Sequence, residues 1–221
     1  MLTKTVVINL VRRPDRRAEM SRELKRVGWE AEFFPAAELM EANGFPSRGA
    51  RGCFISHLLV LRAAVADKVD RLILLEDDLN FSKDFAERWR AIRLPDDFAL
   101  CYPAAIEAIP LGVSAVPGST GLRCTHFMIF NGAALPTVVA GLETILNRPP
   151  GHPSGGPMHV DGAYSTLRAQ NPDLKTVAIG PPLGYQRPSR TDIGKPRWFD
   201  RVGLLAPAVR VARRIKQSAP A

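Results

Sequence analysis

The chain has 221 residues, of which 46% are hydrophobic and 24% are charged, and its formal net charge is +8 at pH 7. These values exclude a disordered protein, and this length is enough to bury a core without disulfide bonds. We expect no membrane-spanning helix, because no stretch approaches roughly 20 apolar residues. We also expect no signal peptide, because residues 1–10 lack its long apolar region and its small-residue cleavage site. The three cysteines form no Cys-x-x-Cys pair, which argues against a structural zinc site and favours a reducing, cytoplasmic location.

The positive charge is concentrated near the end of the chain. Residues 201–221 contain no acidic residue and five basic ones, which are Arg201, Arg210, Arg213, Arg214 and Lys216. The other 200 residues carry 25 basic and 22 acidic side chains, a balance that argues against a nucleic-acid-binding protein. We expect residues 201–221 to form a separate tail, which is either a peripheral amphipathic anchor on an anionic membrane or a solvated basic segment.

Short apolar runs alternate along the chain with stretches of helical periodicity. The apolar runs predict strands at 4–10, 29–34, 71–75, 98–102, 126–130 and 174–179. The periodic stretches predict helices at 14–27, 53–66, 85–92, 133–146 and 160–170, with loops at 41–52, 103–122 and 147–158. Strands that alternate with helices predict an α/β domain with a mainly parallel central sheet flanked by helices.

Three adjacent carboxylates, Glu76, Asp77 and Asp78, follow the apolar run at 72–75. Ligands of α/β sheets bind at the carboxyl ends of the strands. Adjacent carboxylates repel one another, so we expect a compensating cation; oxygen ligands favour Mg²⁺ or Mn²⁺, shared with substrate phosphates. The alternative is a solvated acidic turn before a helix.

A cluster of arginines follows the first predicted strand, within residues 9–17. Arg13 and Arg16 are suited to grip a diphosphate through bidentate hydrogen bonds, and Asp15 to accept a hydrogen bond from a base or a ribose. The alternative is a solvated helix start whose arginines face water.

The segment Gly-Cys-Phe-Ile-Ser-His at 52–57 begins the second predicted helix. Ser56 and His57 are adjacent and cannot form a hydrolase triad by themselves, and the nucleophile-elbow pattern is absent from the sequence. We interpret Cys53 as a small buried side chain rather than a nucleophile, and His57 as a packed helix histidine rather than a catalytic one.

Three motifs occur in order along the chain: Ile-Asn-Leu-Val-Arg-Arg-Pro-Asp-Arg-Arg at 8–17, Arg-Gly-Cys-Phe-Ile-Ser-His at 51–57 and Leu-Ile-Leu-Leu-Glu-Asp-Asp at 72–78. In this order and spacing they resemble glycosyltransferase family 25, which includes lipooligosaccharide and collagen galactosyltransferases. The match is close over residues 5–82 and loose elsewhere. The resemblance implies a GT-A-like single domain over residues 1–200, a UDP-sugar donor, a divalent metal and inversion at the anomeric carbon.

The resemblance also implies roles for individual residues. Those that would stand at the metal and the donor diphosphate are Glu76, Asp77 and Asp78. Those that would line the nucleotide pocket are Asn9, Arg13, Asp15 and Arg16. Those that would support the donor site from the neighbouring helix are Ser56 and His57.

Two later segments complete the predicted site. Asp161 follows the loop at 147–158 and begins a helix, so it is our candidate for the base that takes the acceptor hydroxyl proton; a plain acid in the first helical turn is the alternative. The segment at 186–193 resembles a late segment of the family. Within it, Arg187 and Arg190 would close over the donor phosphates, with a solvated loop as the alternative.

We therefore predict a metal-dependent inverting glycosyltransferase that moves a sugar, with galactose expected, from a UDP-sugar to a cell-surface glycan or lipooligosaccharide. A lipid-linked acceptor would suit a location at the inner face of the cytoplasmic membrane. One alternative is a non-catalytic nucleotide-sugar or glycan-binding module with a degenerate active site. A metal-dependent phosphotransferase or phosphohydrolase is a weaker alternative, because the sequence has no Asp-x-Asp motif on the first strand and no P-loop.

Overall fold

A computed structural model describes residues 1–187, so Arg190 and the tail predicted at 201–221 lie outside the described residues. The strands are β1 Thr3–Asn9, β2 Glu32–Pro35, β3 Arg71–Glu76, β4 Leu79–Phe81, β5 Leu100–Tyr102, β6 Gly112–Val116, β7 Phe127–Asn131, β8 Thr176–Gly180 and β9 Gly184–Gln186. The helices are α1 Pro14–Val27, α2 Arg48–Ala66, α3 Phe85–Ala91, α4 Leu135–Asn147 and α5 Val160–Gln170.

Seven of these strands form the central sheet, in the order β2-β1-β3-β7-β5-β8-β6. β1 pairs in parallel with both β2 and β3, and β5 pairs in parallel with β8. β7 is antiparallel to β3 and β5, and β6 is antiparallel to β8. Five of the seven strands therefore run in one direction. The predicted α/β class, with a mainly parallel sheet flanked by helices, is confirmed.

Side chains of β3 alternate between the two faces of the sheet, as strand geometry requires. Leu72 and Leu74 pack with side chains of α2, α4 and α5, whereas Ile73 and Leu75 pack with those of α1 and α3. All four are at most 5% exposed. Burying one such side chain stabilises the fold by roughly 1.5–3 kcal/mol. This two-sided burial fixes the end of β3, and with it the position of the acidic triplet.

The helix α2 begins at Arg48, so the loop predicted through residue 52 was wrong over its last five positions. Ser47 explains the earlier start, because its side chain accepts a 3.0 Å hydrogen bond from the backbone N–H of Ala50 and caps the helix. By length and composition, α2 is the one helix within residues 1–187 that could cross a membrane. Half of that stretch is buried inside the domain.

Two strand pairings were not predicted. The segment at 103–122 was predicted as a loop because of its prolines and glycines, yet its middle forms the edge strand β6, which pairs with β8. The short strands β4 and β9 form a separate antiparallel pair in which Leu79 lies opposite Gln186. Strands of three to five residues lack a periodic signal of their own, and both pairings depend on partners far away in the chain.

Candidate active site

The parallel pairing of β1 and β3 brings two predicted motifs together. Ile8 lies opposite Glu76 in this pairing, so the carboxyl ends of both strands reach the same edge of the sheet. A cavity of about 710 Å³ opens at this edge. Its lining includes the ends of both strands, the start of α2, and Gln186 from β9. The position is the one expected for a ligand site in an α/β sheet.

Asp77 is held by two buried groups from the arginine motif. Asn9 Nδ2 donates to Asp77 Oδ2 at 2.7 Å, and Arg16 Nη1 donates to Asp77 Oδ1 at 3.0 Å. The three residues are 4–8% exposed. Both oxygens of Asp77 therefore have partners from the chain itself. Arg16 supplies part of the positive charge that the acidic triplet requires.

Asp78 has one oxygen bound and one unsatisfied. Gln186 Nε2 donates to Asp78 Oδ2 at 3.1 Å, and Arg16 Nη1 lies 3.5 Å from the same oxygen. Oδ1 is buried without a hydrogen-bond partner among the described residues. Burial first, and then the charge of Glu76, raises the pKa of Asp78 to about 7. A buried carboxylate with an unsatisfied oxygen fits the predicted divalent cation, which would stabilise its charged form.

Glu76 connects the triplet to the interior of the domain. Its Oε1 accepts a 2.9 Å hydrogen bond from Thr125 Oγ1 and lies 3.5 Å from His57 Nε2. Burial opposes ionisation, but contacts with His57, His126 and Thr125 outweigh it and lower the pKa of Glu76. Glu76 is therefore favoured in its charged form. The donor-site role predicted for His57 would act through Glu76, because His57 is fully buried.

Ser56 holds a wall of the cavity in place. Its hydroxyl donates to the carbonyl of Gly52 at 2.6 Å and accepts from the backbone N–H of Ala37 at 2.8 Å. Ala37 belongs to the cavity wall that follows β2. The close approach of this wall leaves no space for a side chain at Gly52, since a Cβ there would lie 2.5 Å from the Ala37 carbonyl oxygen. Ser56 thus fixes this part of the cavity wall to α2.

Arg13 and Asp15 are placed together, outside the lining of this cavity. Arg13 Nε donates to Asp15 Oδ1 at 2.9 Å, and its Nη2 donates to Oδ2 at 2.8 Å. The hydrogen bond from Arg13 lowers the pKa of Asp15 to about 2. Arg12 lines the cavity instead, where its Nε donates to Glu38 at 2.7 Å. Arg12 was not among the predicted site residues, because the spacing of the motif does not show which arginine faces inward.

Arg187 lies on the β4 side of the site. Its Nε donates to Asn80 Oδ1 at 2.9 Å, its Nη2 donates to the carbonyl of Leu79 at 3.2 Å, and its Nη1 contacts Glu19. In the described residues it does not line the cavity, whereas the neighbouring Gln186 does. Of these two residues, Gln186 is the one whose side chain contacts the acidic triplet.

Asp161 faces a second, smaller cavity of about 140 Å³. This cavity shares Cys53, Glu76 and Gln186 with the larger one. Asp161 lies in the first turn of α5, where its Oδ1 accepts a 2.8 Å hydrogen bond from the backbone N–H of Gly162. Asp161 and Asp78 therefore line neighbouring cavities that meet at Glu76.

His126 is a site residue that sequence reasoning missed. It lines the small cavity and is 2% exposed, and both ring nitrogens are buried without a hydrogen-bond partner in the part of the chain that the structure describes. Burial lowers the pKa of His126. No motif surrounds it in the sequence, and only the register of β7 against β3 places it beside Glu76.

Comparison with known families gives a match at the centre of this site. The model of glycosyltransferase family 25, described as an LPS biosynthesis protein, matches residues 42–99. The matched stretch contains α2 and the acidic triplet, so it contributes Cys53, His57 and Glu76.

Curated relatives extend the match. A glycosyltransferase 25 family member of Drosophila melanogaster is 32% identical over 114 residues, which are 42% of this chain and 18% of the relative. An inactive glycosyltransferase 25 family member 3 of Mus musculus is 28% identical over 174 residues, which are 66% of this chain and 29% of the relative. The chain therefore spans less than a third of the length of either relative.

Among solved structures, a glycosyltransferase involved in the glycosylation of the major capsid of PBCV-1 aligns with a TM-score of 0.44 and 11% identity. The alignment covers 81% of this chain and 93% of that one. The family model and the curated relatives confirm the resemblance to glycosyltransferase family 25 that the three motifs indicate.

Proposed function

We propose that the protein is a metal-dependent inverting glycosyltransferase that moves a sugar, with galactose expected, from a UDP-sugar to a cell-surface glycan or lipooligosaccharide. The observation that supports this proposal most is the junction of the two cavities at Glu76, beside the unsatisfied oxygen of Asp78. A transferase needs a large site for the donor and a neighbouring site for the acceptor hydroxyl. The two cavities have those relative sizes.

The larger cavity is suited to the donor. Its volume of about 710 Å³ falls in the range of ligand sites, and it is lined by both charged and apolar side chains. Asp78 and Glu76 would hold the Mn²⁺ or Mg²⁺ ion. When bound, the metal would neutralise negative charge on the departing UDP. Arg16 lies beside the same carboxylates and would add positive charge near the diphosphate.

The smaller cavity is suited to the acceptor hydroxyl. Inversion by direct displacement requires a base on the side of the acceptor, within reach of the hydroxyl proton. Asp161 lies on the wall of this cavity and is partly exposed. Its carboxylate would take the proton, while His126 and Thr125 offer further polar groups to the acceptor.

The donor site is tested by thermal unfolding with UDP, GDP, CMP and ADP, each with and without Mn²⁺. We expect UDP with Mn²⁺ to raise the melting temperature, since a ligand at about 100 times its Kd adds about 2.7 kcal/mol of stability. Asp78→Asn should abolish this shift, and the exposed Asp173→Asn should keep it. A wild-type protein that no nucleotide stabilises would contradict the proposed donor site.

A second candidate function is a nucleotide-sugar or glycan-binding module that does not catalyse transfer. The specific observation in its favour is the Arg16–Asp77 contact, which already neutralises one carboxylate of the triplet. UDP binding without transfer from any UDP-sugar to a panel of glycans would support this candidate. Transfer that depends on Asp161 would exclude it.

The proposal includes a location. An acceptor carried on a lipid would place the protein in the cytoplasm, at the inner face of the membrane, where the basic segment 201–221 would contact anionic lipid. Flotation with vesicles that contain anionic phospholipid tests this, with neutral vesicles as the control. Equal recovery of the protein with both kinds of vesicle would contradict it.

A further inference from the structure

Three side chains with metal-ligand chemistry meet between the two cavities. They are Cys53 and His57 of α2 and Glu76 at the end of β3. One ligand atom from each, a sulfur, a nitrogen and an oxygen, lies within 4.8 Å of the other two. Cys53 and His57 are four residues apart on one helix, so they project from the same face. The pairing of β1 with β3 and the packing of α2 hold Glu76 opposite them.

We propose that Cys53, His57 and Glu76 form a binding site for a borderline-soft divalent cation of the zinc type, separate from the donor metal at Asp78. Sulfur and imidazole ligands select Zn²⁺ or Co²⁺ over Mg²⁺ and Mn²⁺, which prefer oxygen. Three protein ligands with one open position are the arrangement of zinc sites that accept a further ligand. Binding would replace the thiol proton of Cys53 and release it to solvent.

The imidazole of His57 is the second observation that points to a ligand. His57 is fully buried, and its Nε2 has no hydrogen-bond partner within residues 1–187. This nitrogen points toward Glu76, but its distance of 3.5 Å from Oε1 is longer than a good hydrogen bond. A buried nitrogen left without a partner beside a thiol and a carboxylate is what a metal would satisfy.

The other ring nitrogen of His57 is already held in the way that metal ligation requires. His57 Nδ1 lies 3.1 Å from the hydroxyl of Tyr164, which is also fully buried. A metal on Nε2 would leave the ring proton on Nδ1, and this N–H would donate a hydrogen bond to the hydroxyl oxygen of Tyr164. Partners of this kind fix the orientation of metal-bound histidines in proteins.

The groups around the three proposed ligands provide negative charge, and the two cavities give an ion access from solvent. Glu76, Asp78 and Asp161 all act electrostatically on Cys53, so a cation at this position would relieve repulsion among negative groups. Cys53 and Glu76 line both cavities, which provides a path from solvent and a fourth coordination position facing the cavities. One carboxylate oxygen of Glu76 would bind this ion. The other oxygen of Glu76, together with Asp78, would remain for the donor metal.

The test is titration of the untagged, chelator-treated full chain with Co²⁺. We expect one equivalent to bind and to produce the near-ultraviolet absorption of a cobalt–thiolate bond, which Zn²⁺ then displaces. Cys53→Ser should abolish this absorption. Cys124→Ser is the matched control, because Cys124 lines the same small cavity but is not one of the three ligands. Asp78→Asn should also keep the absorption.

A second measurement does not depend on a variant that folds. In the wild type, Zn²⁺ should slow maleimide labelling of Cys53, read by peptide mass spectrometry, and leave the labelling of Cys124 unchanged. The site is overturned if the wild type binds no equivalent of Co²⁺, if the thiolate absorption persists in Cys53→Ser, or if Zn²⁺ protects both cysteines equally.

The outcome is independent of the proposed transferase activity. Melting with UDP and Mn²⁺ reports on Asp78, whereas cobalt absorption reports on Cys53. If the absorption is absent and the UDP shift is present, the zinc-type site fails and the donor site stands. If the absorption is present and the UDP shift is absent, the zinc-type site stands and the donor site fails.

Discussion

Nη1 of Arg16 lies 3.0 Å from Oδ1 of Asp77, and both side chains are buried at the carboxyl edge of the sheet. The pair joins the first motif of the sequence to the third. Asn9 binds the other oxygen of Asp77, so that carboxylate is fully satisfied. Asp78, the next residue, keeps a buried oxygen without a partner among the described residues. The two aspartates therefore differ: Asp77 is a structural ion-pair partner, whereas Asp78 is the one that we propose to bind the cation.

The Arg16–Asp77 pair predicts a large loss of stability when the arginine is replaced. Arg16→Met leaves Asp77 as a buried charge without its counterion, and breaking such a pair costs about 3–5 kcal/mol. Urea denaturation would measure the free energy of unfolding. Arg22→Met, an exposed arginine on the same helix, is the control and should change stability by less than about 0.5 kcal/mol. Equal effects of the two substitutions would contradict the structural role of Arg16.

The raised pKa of Asp78 predicts that this carboxyl group lowers the free energy of unfolding as the pH rises. The folded-state pKa of about 7 exceeds the ordinary value of 3.8, so the protonated form contributes stability at low pH that is lost as the pH rises toward 7. One pKa unit corresponds to about 1.4 kcal/mol. As the pH rises from about 5 to about 8, the free energy of unfolding of Asp78→Asn should therefore increase by about 2–3 kcal/mol relative to that of the wild type. Urea denaturation in the presence of a chelator measures the difference. Parallel pH profiles for the two proteins would show that the pKa of Asp78 is not raised.

The contact between Gly52 and Ala37 predicts that the cavity wall is sensitive to one methyl group. In Gly52→Ala, the new Cβ would lie 2.5 Å from a backbone oxygen, so the wall or the helix must move. We expect a loss of about 1–3 kcal/mol in the free energy of unfolding and weaker binding of UDP. Gly121→Ala is the control, since a Cβ there meets no atom within 4 Å. A Gly52→Ala protein with wild-type stability would mean that the wall yields freely.

The position of Asp161 predicts that its replacement impairs sugar transfer and leaves donor binding unchanged. Asp161→Asn removes the proposed base and should lower kcat by about 10²–10⁴-fold, with the UDP-induced melting shift unchanged. Asp173→Asn, an exposed acid after the same helix, should leave kcat unchanged. If Asp161→Asn transfers sugar at the wild-type rate, another group is the base, and Glu76 at the cavity junction is the next to test.

Long elements with a strong pattern were predictable from the sequence. The apolar run predicted the strand β3, and the helical periodicity predicted α1 and α5, each at nearly the observed first and last residues. These features depend on local spacing alone. The start of α2 was missed, although Ser47 carried a local signal, because three nearby glycines were given more weight. The β4–β9 and β6–β8 pairings depend on distant partners, and no local pattern reports them.

The candidate site also contains residues that local motifs predicted and residues that they did not. The motifs indicated which edge of the sheet carries the ligand cavity, since Asn9, Arg16 and Glu76 each follow or adjoin a strand. They did not indicate that Arg16 would pair with Asp77. The contributions of Gln186 and His126 were also missed, because these residues reach the site through pairings far along the chain.

The contact between His57 and Tyr164 predicts that metal affinity depends on a residue that is not itself a ligand. If Nε2 binds Zn²⁺ or Co²⁺, the hydroxyl of Tyr164 orients the ring, and Tyr164→Phe should weaken metal binding by about 10–100-fold without removing a ligand. The cobalt–thiolate absorption should then appear only at higher cobalt concentration and reach the wild-type intensity. Tyr102→Phe is the control, because Tyr102 is equally buried in the same core cluster and its hydroxyl has no hydrogen-bond partner among the described residues. Equal cobalt affinity in the two variants would show that Tyr164 does not act on a metal through His57.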